Sequence, residues 1–84
     1  MQFVYTVQNE MGLHLGPAQI IAQEAQKFNS TMTISAKNKS ADMKKVFGIV
    51  GLGAKCGEQI FVEIQGEDEV QAFTALKTMI EQIL

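Results

Sequence analysis

The chain has no arginine, and only one cysteine, one histidine and one proline, in 84 residues. Without arginine there is no planar, two-pronged clamp for a phosphate or a carboxylate. Seven lysines stand against nine acidic residues, a formal net charge of −2. No basic excess exists to release counterions from a nucleic-acid backbone, so a nucleic-acid partner is not expected. Cys56 stands alone, which excludes an internal disulfide and suits a reducing compartment. One histidine with one cysteine does not make a zinc set, so no metal is expected. The longest apolar runs fall far short of the roughly 20 residues that span a bilayer. The opening MQFVYTVQNEMG has no basic start and no long apolar run, unlike a secretion signal. These absences together predict a soluble cytoplasmic protein that does not insert into a membrane.

What is present reads as a folded chain. Apolar residues make up 46% and charged residues 19%, the balance of a globular protein. Eighty-four residues are enough for one domain, spanning 1–84, and too few for a second core. Phe3, Tyr5 and Val7 alternate with Gln2, Thr6 and Gln8, which predicts a strand over residues 2–8. Ala18, Ile21, Ala22, Ala25 and Phe28 follow helical spacing. A helix is expected from Leu15–Pro17 to about Asn29, with the proline tolerated in its first turn. Met32, Ile34 and Ala36 mark a second strand, Lys37-Asn38-Lys39 a tight turn, and residues 40–43 a third strand. Lys44 to Leu52 holds Val46, Phe47, Ile49 and Val50 around Gly48 and Gly51, at best a short helix. Ile60, Val62 and Ile64 alternate as a fourth strand ending at Gly66. Glu67-Asp68-Glu69 then opens a last helix, where negative charge meets the positive end of the macrodipole. Its apolar stripe is Phe73, Leu76, Ile80 and Ile83. The order β-α-β-β-α-β-α predicts an α+β, two-layer, open-faced sandwich. Its four-stranded antiparallel sheet would be covered on one face by helices.

The single histidine lies in MGLHLGPA, residues 11–18, just before the first helix. The first amides of that helix, from Leu15 and Gly16, have no acceptor within it. An anion placed there meets free donors and the positive dipole end together. In its neutral form the His14 imidazole carries a ring-nitrogen lone pair and can act as a nucleophile. A phosphoryl group moved onto the ring would come to rest where those amides can hold it. Gly16 would let the phosphate or a partner approach the backbone closely. Taken alone, His14 reads more readily as a helix-cap or loop residue than as a working group.

GLHLGPA, residues 12–18, resembles the phosphorylation motif of the HPr family, written Gly-Ile/Leu-His-x-Arg-Pro-Ala. KSADMKKVFGIVGLG (39–53) is similar to the second signature of that family, and GEDEVQAF (66–73) to the start of its last helix. The resemblance covers essentially the whole chain. It implies an open-faced sandwich acting as the histidine phosphocarrier of the bacterial phosphoenolpyruvate:sugar phosphotransferase system, without a cofactor. It implies that His14 Nδ1 takes a phosphoryl group from enzyme I and passes it to enzyme IIA domains in sugar uptake. The docking surface would be Val46, Phe47, Ile49 and Val50, although core packing competes for these side chains. A monomer suffices for this work.

Two positions depart from the motif. Gly16 stands where the family has arginine, which removes the side chain that would hold the phosphate. Leu15 and Gly16 remain as backbone donors, and Lys45 is the lysine expected to compensate, with a solvated helix start as its plainer role. Lys45 also occupies the position where many Gram-positive members carry a regulatory serine, so ATP-dependent serine phosphorylation there is excluded. An alternative is a regulatory HPr-like protein that binds a partner and exchanges phosphate weakly or not at all. A third reading is a small α+β ligand-binding or oligomerisation module that shares the fold alone. Cys56 reads as an incidental thiol, the five methionines as core filler, and Ser30 and Ser40 as turn residues.

Overall fold

The computed structural model describes residues 1–84. The elements are β1 (Gln2–Thr6), α1 (Leu15–Ala25), β2 (Thr31–Ala36), β3 (Lys39–Asp42), α2 (Val46–Val50), β4 (Gln59–Gln65) and α3 (Glu69–Ile83). All strand pairs are antiparallel, in the order β1-β4-β2-β3. This is the α+β open sheet that the alternation predicts.

The alternation decides which face is covered. Met32, Ile34, Ala36, Ile60, Val62 and Ile64 are buried, while their odd-numbered neighbours on β4 point to solvent. Ala18, Ile21, Ala22 and Ala25 of α1 and Ala72, Leu76 and Ile80 of α3 close that face. Phe3 and Phe73 meet edge-on, with ring centroids 5.3 Å apart, a favoured aromatic geometry. On the opposite face Val4 and Phe61 are cross-strand partners and remain half exposed.

Three boundaries differ from the periodicity. β1 ends at Thr6 because Gln8 and Asn9 turn their amides to the carbonyl of Leu84. The β2–β3 turn is Lys37-Asn38, both at positive φ (53° and 66°), with Lys39 already paired to Ala36. Positive φ at both central residues suits the twist of a two-residue hairpin. α1 stops at Ala25 rather than near Asn29, and Phe28 packs on the core from the following turn.

The early end of α1 has a long-range cause. The Asp68 carboxylate accepts the amides of Asn29 (2.8 Å) and Ser30 (3.0 Å) and the Ser30 hydroxyl (2.5 Å). Ser30 is therefore a buried anchor, not merely a turn residue, and Asp68 does not cap α3 with its side chain. The Ser30 hydroxyl, then the Asn29 amide, hold the Asp68 carboxyl below its ordinary value. A depressed aspartate stabilises the fold above its unfolded value, and this stabilisation is lost as pH falls through the folded one. Asp68→Asn is expected to lower the melting temperature at pH 7, with the gap to the parent shrinking on acidification to about pH 3. Thermal melts at the two pH values test this, and an equal gap at both contradicts it.

Candidate phosphoryl-accepting site

His14 stands at the head of α1 as its N-cap, in extended conformation (φ −94°, ψ −174°). The preceding loop aims it there. Gly12 takes φ 69°, its carbonyl accepts the His14 amide (3.0 Å), and the Leu13 amide donates to Ala54 O (2.9 Å). Leu13 is buried and His14 is half-buried, so the leucine anchors the loop while the imidazole keeps a path to solvent.

The ring faces the helix amides. The Gly16 amide donates to His14 Nδ1 at 3.3 Å. An accepting Nδ1 carries a lone pair, which places the ring proton on Nε2. Pro17 has no amide hydrogen and the Ala18 amide is taken by His14 O (3.1 Å). The Leu15 amide has no intramolecular acceptor. Of the two amides expected to be free, Leu15 is free and Gly16 is held by the ring itself.

Gly16 contributes through the side chain it lacks. A Cβ there would sit 3.0 Å from His14 Cε1 and 3.5 Å from Nδ1. Any larger residue must push the ring aside by a few tenths of an ångström.

Lys45 is corrected as a phosphate ligand. Its neighbour Lys44 is tied to the far end of α1: Gln26 Nε2 donates to Lys44 O, and Lys44 Nζ donates to Phe28 O, each at 2.8 Å. An eleven-residue helix is about 16 Å long, so Lys45 lies at the opposite end of α1 from His14.

Ile49 is corrected as a docking residue. Its side chain is fully buried in the core, the one residue of this five-residue helix that is enclosed where α2 packs on α1 and β3. Val46 and Val50 are half-buried against the same core, whereas Phe47 is 82% exposed. Not singled out from the sequence are Met11 and the Leu15 side chain, three residues before and one after His14 in the chain, both open to solvent. Their signal was a bulky apolar residue on either side of the Gly-Leu-His step with no helical partner to cover it.

A family model described as "PTS HPr component phosphorylation site" matches residues 1–82. The phosphocarrier protein HPr of Mycoplasma capricolum is 36% identical over 84 residues, covering 99% of this chain and 94% of its own. This chain belongs to the HPr family. A histidine-containing phosphocarrier protein, described in relation to the divergence of Mycoplasma from Gram-positive bacteria, superposes with a TM-score of 0.94. It is 32% identical and covers 98% of this chain and 93% of its own. The HPr dimer from Thermoanaerobacter tengcongensis superposes with a TM-score of 0.77 at 35% identity, covering 93% and 90% of the two chains. As an HPr-family phosphocarrier the chain is part of a phosphotransferase system, and no helix is long and apolar enough to cross a membrane.

The loop that receives Leu13 is itself pinned. Glu58 Oε1 accepts the Lys55 amide (2.6 Å) and lies 3.1 Å from Lys37 Nζ. The Lys55 amide, then Lys37, hold the Glu58 carboxyl below its ordinary value. Cys56 is exposed in this loop, 3.7 Å from Gln8 O. At Gly12 an added Cβ would come within 2.5 Å of Ala54 O, in a left-handed conformation that itself costs a non-glycine residue about 1–3 kcal/mol. Gly12→Ala is expected to lower stability by about 2 kcal/mol and to speed exchange of the Leu13 amide. Urea denaturation with hydrogen exchange reads both, and unchanged values would mean the loop does not depend on this contact.

Proposed function

We propose that the protein accepts a phosphoryl group on His14 from enzyme I and passes it to enzyme IIA domains in phosphoenolpyruvate-dependent sugar uptake. The observation that carries this is the Nδ1 lone pair facing the Gly16 amide at 3.3 Å, with the Leu15 amide free beside it. In the transfer, the Nδ1 lone pair attacks the phosphorus held on the donor, the donor's bond to phosphorus breaks, and the proton stays on Nε2. Nδ1 then no longer accepts from Gly16. That amide turns to a phosphoryl oxygen, so one donor serves the ring before transfer and the phosphate after it. The reverse sequence delivers the group to the next protein. Neither step needs a cofactor or a metal. Phe47, with Met11 and Leu15 near the histidine in sequence, supplies exposed apolar surface for the partners.

The absent arginine supports a second reading, a regulatory relative that binds a partner and transfers phosphate weakly. One experiment separates the two. The protein is incubated with enzyme I and labelled phosphoenolpyruvate, and label stable in alkali and labile in acid is sought. Stoichiometric label supports the carrier. Binding to enzyme I without label at any enzyme concentration rejects the carrier in favour of the regulatory protein.

A further inference from the structure

With no arginine in the chain, a cation for the phosphoryl group must come from lysine. Four lysines are engaged: Lys27 with Glu24, Lys37 with Glu58, Lys77 with Glu81, and Lys44 with Phe28 O. Lys39, Lys45 and Lys55 make no side-chain hydrogen bond or ion pair. Lys45 sits at the far end of α1. Lys39 opens β3, the edge strand farthest from β1.

Lys55 is placed differently. A Cβ on Gly12 would lie only 3.0 Å from Lys55 Cα, and the residue before it, Ala54, receives the Leu13 amide. Its backbone is therefore pressed against the segment that leads into His14. Two further residues of chain add at most about 7 Å, which keeps the two Cα atoms within about 12 Å. An extended lysine stem on one side and a phosphoimidazole on the other can close that gap. The backbone of Lys55 is also held on both sides, its amide by Glu58 Oε1 and its carbonyl by the Glu58 amide (2.9 Å). Glu58 pairs with Lys37; the Lys55 charge also acts on Glu58 from a distance, but its ammonium makes no ion pair and the residue is exposed.

We infer that Lys55 supplies the cation facing a phosphoryl group on His14 Nδ1, taking over from another loop the charge that an arginine at position 16 would bring. The inference rests on His14 being the phosphoryl acceptor. A point charge at the end of a flexible stem suits a group that must leave again, since it attracts the phosphate without fixing it in a two-pronged grip.

The test uses two donors, phospho-enzyme I and phosphoramidate. With phosphoramidate, Nδ1 bonds to phosphorus as the P–N bond of the reagent breaks and ammonia leaves. On phosphorylation of the parent, the Lys55 side-chain resonances are expected to shift and those of Lys39 to stay. Lys55→Gln is expected to slow uptake from phospho-enzyme I roughly three- to fivefold at low salt, the effect fading as salt rises. Lys55→Arg should restore the rate, and Lys39→Gln should leave it unchanged. If the parent takes up phosphate while Lys55→Gln matches it and the Lys55 resonances do not move, this inference falls and the carrier reading stands. If neither donor phosphorylates the parent, the His14 reading fails, and this one with it.

Discussion

His14→Ala and His14→Asn are both expected to take up no acid-labile phosphate from enzyme I, although they differ in stability. The ring has two separable tasks here. It caps α1 by accepting the Gly16 amide, and it presents the Nδ1 lone pair. Alanine removes both. Loss of a helix cap costs about 1 kcal/mol, which moves the melting temperature of a domain this size by roughly 4–8 °C. Asparagine is among the best N-caps, so His14→Asn should melt close to the parent while remaining unlabelled. Parallel labelling and thermal melts of the three proteins check this. Label on folded His14→Asn would place the phosphate on another residue and overturn the assignment.

Ile49→Ala and Phe47→Ala are expected to separate stability from partner binding within one short helix. Ile49 is fully buried, and truncating a buried isoleucine costs about 2–5 kcal/mol. A folded domain of this length has only about 4–12 kcal/mol in total, so Ile49→Ala should lose a large part of it. Phe47 is 82% exposed, and a surface change of that kind stays within about 0.5 kcal/mol. On the proposed docking role, Phe47→Ala should instead slow phosphate uptake from enzyme I. Denaturant curves beside transfer rates read the pair. A large stability loss in Phe47→Ala would return that ring to the core, and equal transfer rates for parent and Phe47→Ala would remove it from the docking surface.

The fold was legible because its signals are local. Strand alternation over Met32–Ala36 and Ile60–Ile64, and helical spacing over Ala18–Ala25 and Ala72–Ile80, each follow from one pattern of apolar residues over a few turns. The glycines and the Lys37-Asn38 turn mark where that pattern is interrupted. The same locality set the errors. Spacing alone carried α1 on to Phe28, because nothing nearby in sequence shows that Asp68, 38 residues beyond Ser30, draws Asn29 and Ser30 out of helical register.

At the site, the sequence by itself determined the proposed acceptor and the amides beside it. His14 is the only imidazole, and a helix that begins beside Gly16-Pro17 must leave its first amides without an acceptor inside the helix. The order of strands and helices was likewise set by pattern. What only the tertiary structure decided is which distant residues share that end of the molecule. Lys45 lies closer to His14 than Lys55 does by chain count, yet the hydrogen bonds of Lys44 hold it at the other end of α1. The loop carrying Lys55 instead folds back onto Gly12 and Leu13. The four side chains of the second motif were likewise sorted by packing, with Ile49 inside and Phe47 outside. The physical reason is common to these cases: helix and strand periods depend on neighbours along the chain, whereas charge placement and burial depend on which surfaces close against each other.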